Sequence, residues 1–169
     1  MVLYITLRLF CVSGGIVHNS KFVPFFQPAL EEVARRVRVE LAGVLVAESD
    51  RPLRVLETSH PPTYYLPPDS VDRGLLTPAM GRSFCEWKGT AAYWTVTAGG
   101  QERVGRAWSY RTPSMTFAPI ADHLSFYPAD FDCFVDEEPV SPQPGSFYGG
   151  WVTADLAGPF KGEPGSEWW

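Results

Sequence analysis

The sequence predicts a mainly β, antiparallel domain, and three observations carry that reading. Apolar and polar residues alternate with period two in several short runs, and two-residue glycine turns join consecutive runs. Prolines confine the few helical stretches to a turn or two. Strands joined by tight turns exclude a βαβ architecture, and no repeat of 20–50 residues is present.

At the N-terminus Leu3, Ile5, Leu7 and Leu9 alternate with Tyr4, Thr6 and Arg8, the period of a half-buried strand. Arg8 and the lack of a basic leading segment argue against a secretory signal. Residues 12–27 read as a connector, and Pro28 to Ala34 as a short helix with Glu31 and Glu32 near its positive end. Val37, Val39 and Leu41 then alternate with Arg36, Arg38 and Glu40, and Ala42-Gly43 turns the chain into Val44 to Ala47. Leu53 to Glu57 is a third strand, broken by Ser59-His60-Pro61-Pro62. Thr63 to Leu66 is extended until Pro67-Pro68.

Asp69 to Leu76 reads as a turn or two of helix. Ser83 to Trp87 and Ala91 to Ala98 are strands flanking Lys88-Gly89, and Gly99-Gly100 leads into Glu102 to Trp108. Pro119 restricts Ser114 to Leu124 to a short or bent helix, and Ser125 to Tyr127 and Cys133 to Val135 complete the strands. The tail from Ser141 is rich in Pro and Gly yet holds Phe147, Tyr148, Trp151, Phe160, Trp168 and Trp169, so it is expected to cover apolar surface. The chain thus divides into an N-terminal strand and connector (1–32), a core domain (33–140) and an aromatic tail (141–169).

With 169 residues, 45% of them hydrophobic, the chain has material for one domain that stands without disulfide or metal. A net charge of −5 excludes broad binding to nucleic acid or to anionic membrane. No apolar run approaches the ~20 residues of a membrane span. Cys11, Cys85 and Cys133 form no CxxC or CxxH pair, so neither a disulfide scaffold nor a cysteine zinc site is legible; isolated thiols favour the cytoplasm. Nothing implies a metal or cofactor. Only three of the 14 basic residues are lysines, Lys21, Lys88 and Lys161, and the last two share an aromatic-Lys-Gly context.

Leu56-Glu57-Thr58, Pro61-Pro62-x-Tyr64-Tyr65-x-Pro67, the run Cys85 to Trp94, Ala107-Trp108-Ser109-Tyr110 and Phe126-Tyr127-Pro128 follow one another in order. Over residues 33 to 165 this closely resembles domain of unknown function 427, a family also filed under a nucleotidyltransferase-like name. The tail stretches Gly145 to Trp151 and Gly158 to Gly162 resemble its single-domain members. The resemblance implies a β-tent, two small antiparallel sheets meeting at an angle, as in methionine sulfoxide reductase B and the drug-binding domain of cereblon. Many β-tents bind zinc through two CxxC pairs; both are missing here, so that metal does not carry over. Residues 1–32 depart from the family, and no reaction comes with its name.

Four residues are candidates for catalysis. Lys88 is a compact ammonium where other basic residues are Arg; it binds an oxyanion or acts through a lowered pKa, or it pairs with Glu57 or Glu86 for structure. Glu57 and His60 stand three apart at a strand-to-loop junction and suit acid and base roles; alternatively Glu57 pairs with an Arg and His60 is simply exposed. Cys85 is a nucleophile if Lys88 or His60 lowers its pKa, and otherwise a buried small hydrophobe. Tyr64, Tyr65, Trp87, Tyr93, Trp108 and Tyr110 are the candidate walls of a ligand pocket, the alternative being core packing.

The leading expectation is a domain that binds a small anionic or planar metabolite, with or without turnover. The alternatives are a protein-interaction module, including a homodimer, and nucleotidyl transfer. The last needs a Gly-Ser signal shortly before a metal-binding DxD. Asp130-Phe131-Asp132 has the spacing, but Ser13-Gly14-Gly15 lies far upstream.

Overall fold

In the computed structural model, which describes residues 28–145 and 147–166, the chain is mainly β with small antiparallel sheets. The expected strand at Leu3 to Leu9, the connector before Pro28, Lys21, and Trp168 and Trp169 lie outside the described residues.

The strands in chain order are β1 (Ala29–Glu32), β2 (Val37–Leu41), β3 (Val44–Ser49), β4 (Leu53–Leu56), β5 (Thr63–Tyr65), β6 (Leu76–Cys85) and β7 (Gly89–Ala98). They continue with β8 (Gln101–Tyr110), β9 (Leu124–Phe126), β10 (Asp132–Val135), β11 (Glu138–Pro139), β12 (Ser141–Pro142) and β13 (Trp151–Val152). Of the four sheets among the described residues the two largest are four-stranded, in the orders β11-β10-β2-β3 and β6-β7-β8-β9. A three-stranded sheet β1-β4-β5 is stitched to the second by the Leu66–Leu124 bridge, and β12-β13 form a ribbon. Among the described residues helix is confined to 3-10 turns at Pro68–Ser70, Arg73–Leu75 and Met115–Ile120, and no helix is long and apolar enough to cross a membrane.

The β2–β3 hairpin forms as the alternation requires. Val37, Val39 and Leu41 are buried, while Arg36, Arg38 and Glu40 turn outward and pair with Glu48, Glu137 and one another. Ala42 and Gly43 both take positive φ (51° and 76°), the turn whose twist matches a two-residue hairpin.

Three expectations are corrected. Pro28 to Ala34 is no helix: Ala29–Glu32 pairs antiparallel with β4, Glu31 lies opposite Arg54, and their side chains form an ion pair. Seven residues opening on Pro cannot offset the cost of nucleating a helix, whereas a waiting strand edge supplies backbone partners at once. Second, β6 starts at Leu76 rather than Ser83, because the helical turn ends at Leu75. Third, the strand expected at Ser83 to Trp87 ends at Cys85, and Trp87 belongs to a three-residue turn, Glu86 to Lys88.

Bulges interrupt β6 between Pro78 and Arg82 and β8 opposite Thr95, with Gly81 and Gly105 at positive φ. They leave Met80, Phe84 and Val104 exposed along a sheet whose β6 edge is open.

Two apolar clusters form the interior. The larger joins Val37, Val39, Val46, Tyr64, Leu66, Phe126 and Trp151. The smaller joins Val55, Tyr65, Trp108, Tyr110, Phe117 and Ile120, with Cys85, Trp87, Tyr93 and Tyr127 at its border.

Candidate functional site

Lys88 closes the β6–β7 turn. Its backbone is held by Ser114, whose N–H donates to the Lys88 carbonyl (3.3 Å) while its hydroxyl donates to the Trp87 carbonyl (2.6 Å). Gly89 follows at φ 97°, a conformation that suits glycine and aims the chain back into β7. The Lys88 side chain therefore runs inward, 7% of the residue exposed, with its ammonium 6.0 Å from the centre of the Phe117 ring. There it forms an ion pair with the Glu57 carboxylate, itself partly exposed. The structure thus selects Glu57, not Glu86, as the partner of Lys88.

Glu57 follows β4 and opens a tight turn to His60, whose N–H donates to the Glu57 carbonyl at 3.1 Å. Ser59 in this turn has φ 59°, a left-handed conformation that costs free energy for a residue with a Cβ. His60 Nδ1 sits 2.8 Å from the Thr58 carbonyl and must donate to it, which leaves the lone pair on Nε2. Burial lowers the pKa of His60. The Thr58 bond and Glu57 oppose that shift, while Lys161 and Lys88 add to it. The net direction is down, so the imidazole is neutral at pH 7.

Behind the ion pair lie hydroxyls and a thiol. Tyr65 is fully buried; burial raises its pKa far above the ordinary value, and Tyr110, Glu57 and Cys85 add to that against a hydrogen bond from Trp108. Burial likewise raises Tyr110, with Cys85, Glu57, Tyr93 and Tyr127 contributing. Burial also pushes Tyr127 up to about 12, where it hydrogen-bonds Tyr93. All three phenols stay protonated and can act as donors to an oxygen atom. A neutral imidazole lone pair, an ammonium held by a carboxylate and protonated phenols can exchange a proton with a bound oxygen and stabilise charge on it.

The structure brings Glu57, His60, Cys85 and Lys88 together with Tyr65, Trp87, Tyr93, Trp108 and Tyr110 around the smaller cluster. It does not bring Tyr64, which points into the larger cluster against Trp151. The rings pack on one another, Tyr65 against Trp108 at 6.4 Å and Tyr127 against Trp108 at 4.5 Å. The tail closes the outer side. The Tyr148 ring meets His60 edge-on at 5.3 Å, and Gly149 lies so flat on Trp108 that a Cβ would come within 2.4 Å of the indole. Two open concavities of about 410 Å³ each lie elsewhere, around Arg103 and Phe131 and around Arg51 and Asp69.

Sequence reasoning missed Phe117, Tyr127 and Tyr148 as neighbours of the site. Tyr127 was in view as part of Phe126-Tyr127-Pro128, but nothing local says that it stacks on Trp108. Asp130 of the DxD is engaged by Arg106 (2.6 Å), and Asp132 stands exposed on β10. Among the described residues no three His, Cys, Asp or Glu side chains converge as metal ligands would.

A family model described as a domain of unknown function, DUF427, matches residues 29–137, more than half of the chain; its short label refers to nucleotidyl transfer. The match includes β1 through β10 and every candidate residue from Glu57 to Tyr110, and it stops short of the tail segments that cover Trp108 and His60. No curated protein matches the chain.

Proposed function

This chain belongs to the domain of unknown function 427 family, and from that premise we propose that it binds a small anionic or planar metabolite at the Glu57–Lys88 pair. The observation that carries the reading is a charged lysine buried among aromatic rings. Withdrawing an ion pair from water costs several kcal/mol, and apolar side chains of similar volume would pack at least as well there, so stability is a poor reason to keep it. Lys88 and Glu57 supply charge, His60 a proton acceptor, and the phenols of Tyr65 and Tyr110 donors to a ligand oxygen. Trp87 and Tyr93, half-buried at the border of the smaller cluster, supply aromatic surface for a planar group. The ligand enters at the Glu57–His60 turn, where the site meets solvent beneath Tyr148.

A thermal-shift panel of pyruvate, 2-oxoglutarate, ATP with Mg²⁺ and menadione tests this. A ligand at 100 times its Kd adds about 2.7 kcal/mol to apparent stability, several degrees for a domain of this size. At least one compound should raise the melting temperature saturably, and the charge-neutral double variant Glu57→Gln/Lys88→Met should lose that response. An equal response in the double variant, or none from any compound in the native chain, removes the reading.

A further inference from the structure

Lys161 is far from Glu57 and Lys88 in sequence, yet its backbone is fastened beside their turn. Its N–H donates to the Ser59 carbonyl at 2.8 Å, and its own carbonyl accepts from Gln143 Nε2 at 2.8 Å. At the next residue, Gly162, a Cβ would fall 1.9 Å from the Pro144 carbonyl, so only glycine lets the chain pass this close. Three separate contacts thus fix Lys161 against the strained residue that precedes His60.

Most of the buried or half-buried cations elsewhere in the fold are matched. Arg35, Arg36, Arg38, Arg54, Arg106 and Lys88 each hold a carboxylate. Lys161 is half-buried, and among the described residues its ammonium has no acceptor at all. A half-buried ammonium without a partner gives up hydration for nothing in return, unless a ligand supplies the anion. Beside it, His60 offers a lone pair at Nε2 because Nδ1 is committed to Thr58.

We propose that Lys161 and His60 together bind a phosphate group that retains a proton, the anionic oxygens facing Lys161 and the P–O–H donating to His60 Nε2. This goes beyond the Glu57–Lys88 reading to a separate position beside that pair, and its ligand class is inorganic phosphate or a phosphate monoester. The imidazole lone pair is the selective element, since it accepts from a protonated phosphate and repels an oxyanion that has no proton to give.

The test follows the His60 imidazole signals by NMR, identified by their loss in His60→Gln, during titration of the native chain with inorganic phosphate, glycerol 3-phosphate and sulfate. Phosphate should shift the signals saturably, and sulfate should not. Tighter binding of glycerol 3-phosphate than of phosphate marks a metabolite ester as the ligand, and the reverse marks the free anion. Lys161→Met should weaken phosphate binding at least about tenfold, the worth of one charge-assisted hydrogen bond. Lys161→Arg should restore part of it, and a thermal melt checks that both variants fold. Glu57→Gln/Lys88→Met leaves Lys161 and His60 in place and should still bind phosphate, so failure here is separable from failure of the Glu57–Lys88 reading. No saturable shift, an equal response to sulfate, or unchanged affinity in Lys161→Met would overturn the proposal.

Discussion

Tyr64 and Tyr65 are neighbours on β5, and they end in two different chemistries. Tyr64 enters the larger cluster, where its ring leans on Trp151 at 5.3 Å and its hydroxyl meets Arg54, a guanidinium already neutralised by Glu31. Tyr65 enters the smaller cluster, where its hydroxyl is shared with Trp108 and lies near Tyr110, Glu57 and Cys85. The first interior is built of Val, Leu and aromatic rings closed by a tryptophan, and a neighbouring charged pair, Arg54 with Glu31, has an arginine about as buried as Lys88. The second takes a charged pair, phenols and a thiol into its centre or border. One sheet thus separates a large apolar interior closed by Trp151 from a smaller one that gathers phenols, a thiol and the Glu57–Lys88 pair. Alternation along a strand of three residues is enough to divide the two interiors.

The largest test of that division is Trp151→Ala. Its indole is fully buried and donates to the Phe126 carbonyl at 3.1 Å, so truncation should cost about 3–5 kcal/mol, read as a lower denaturant midpoint. A loss below about 1 kcal/mol would mean that the larger cluster is not what holds the fold.

The smaller cluster should answer differently. Glu57→Gln leaves the Lys88 ammonium without its carboxylate and should cost about 2 kcal/mol, whereas Glu57→Gln/Lys88→Met should recover to within about 1 kcal/mol of the native chain. If the double variant is as unstable as the single one, the pair is a structural element and the division fails.

The smallest effect is a pH slope. Burial places the folded pKa of His60 below its unfolded value near 6.5, so the unfolded chain takes up this proton first. Stability tied to His60 is therefore intact above about pH 6.5 and lost as pH falls through that value toward the folded pKa. Lys161, Lys88 and Glu57 are the charges that face it. Melting temperatures between pH 7.5 and 5 should fall more steeply for the native chain than for His60→Gln; parallel curves would show that His60 takes up its proton as freely folded as unfolded.

What the sequence disclosed follows the range of the forces involved. The β2–β3 hairpin was legible because alternation and the Ala42-Gly43 turn act within a few residues. The Lys88 candidacy was legible from the scarcity of lysine, and Glu57 stood among its two proposed partners. The strand at Ala29–Glu32 was not, since its reason is β4, more than 20 residues away. That Tyr64 and Tyr65 face apart follows from strand geometry. Which of them meets the polar groups depends on β4, β9 and the β6–β7 turn, and no local pattern contains that. Nor could spacing reveal Tyr148 or Lys161 beside His60, because the long return of the tail brings them there.

Trp151 also bears on what counts as the unit of folding. The residues matched by the family model end at 137, yet the indole that fills the space against Tyr64 and donates to the Phe126 carbonyl comes from beyond them. A chain ended where the family pattern ends would carry an empty socket at the centre of its main core. The end of the matched residues and the boundary of autonomous folding are therefore different lines in this molecule, and a minimal domain has to be cut after Trp151 rather than at residue 137.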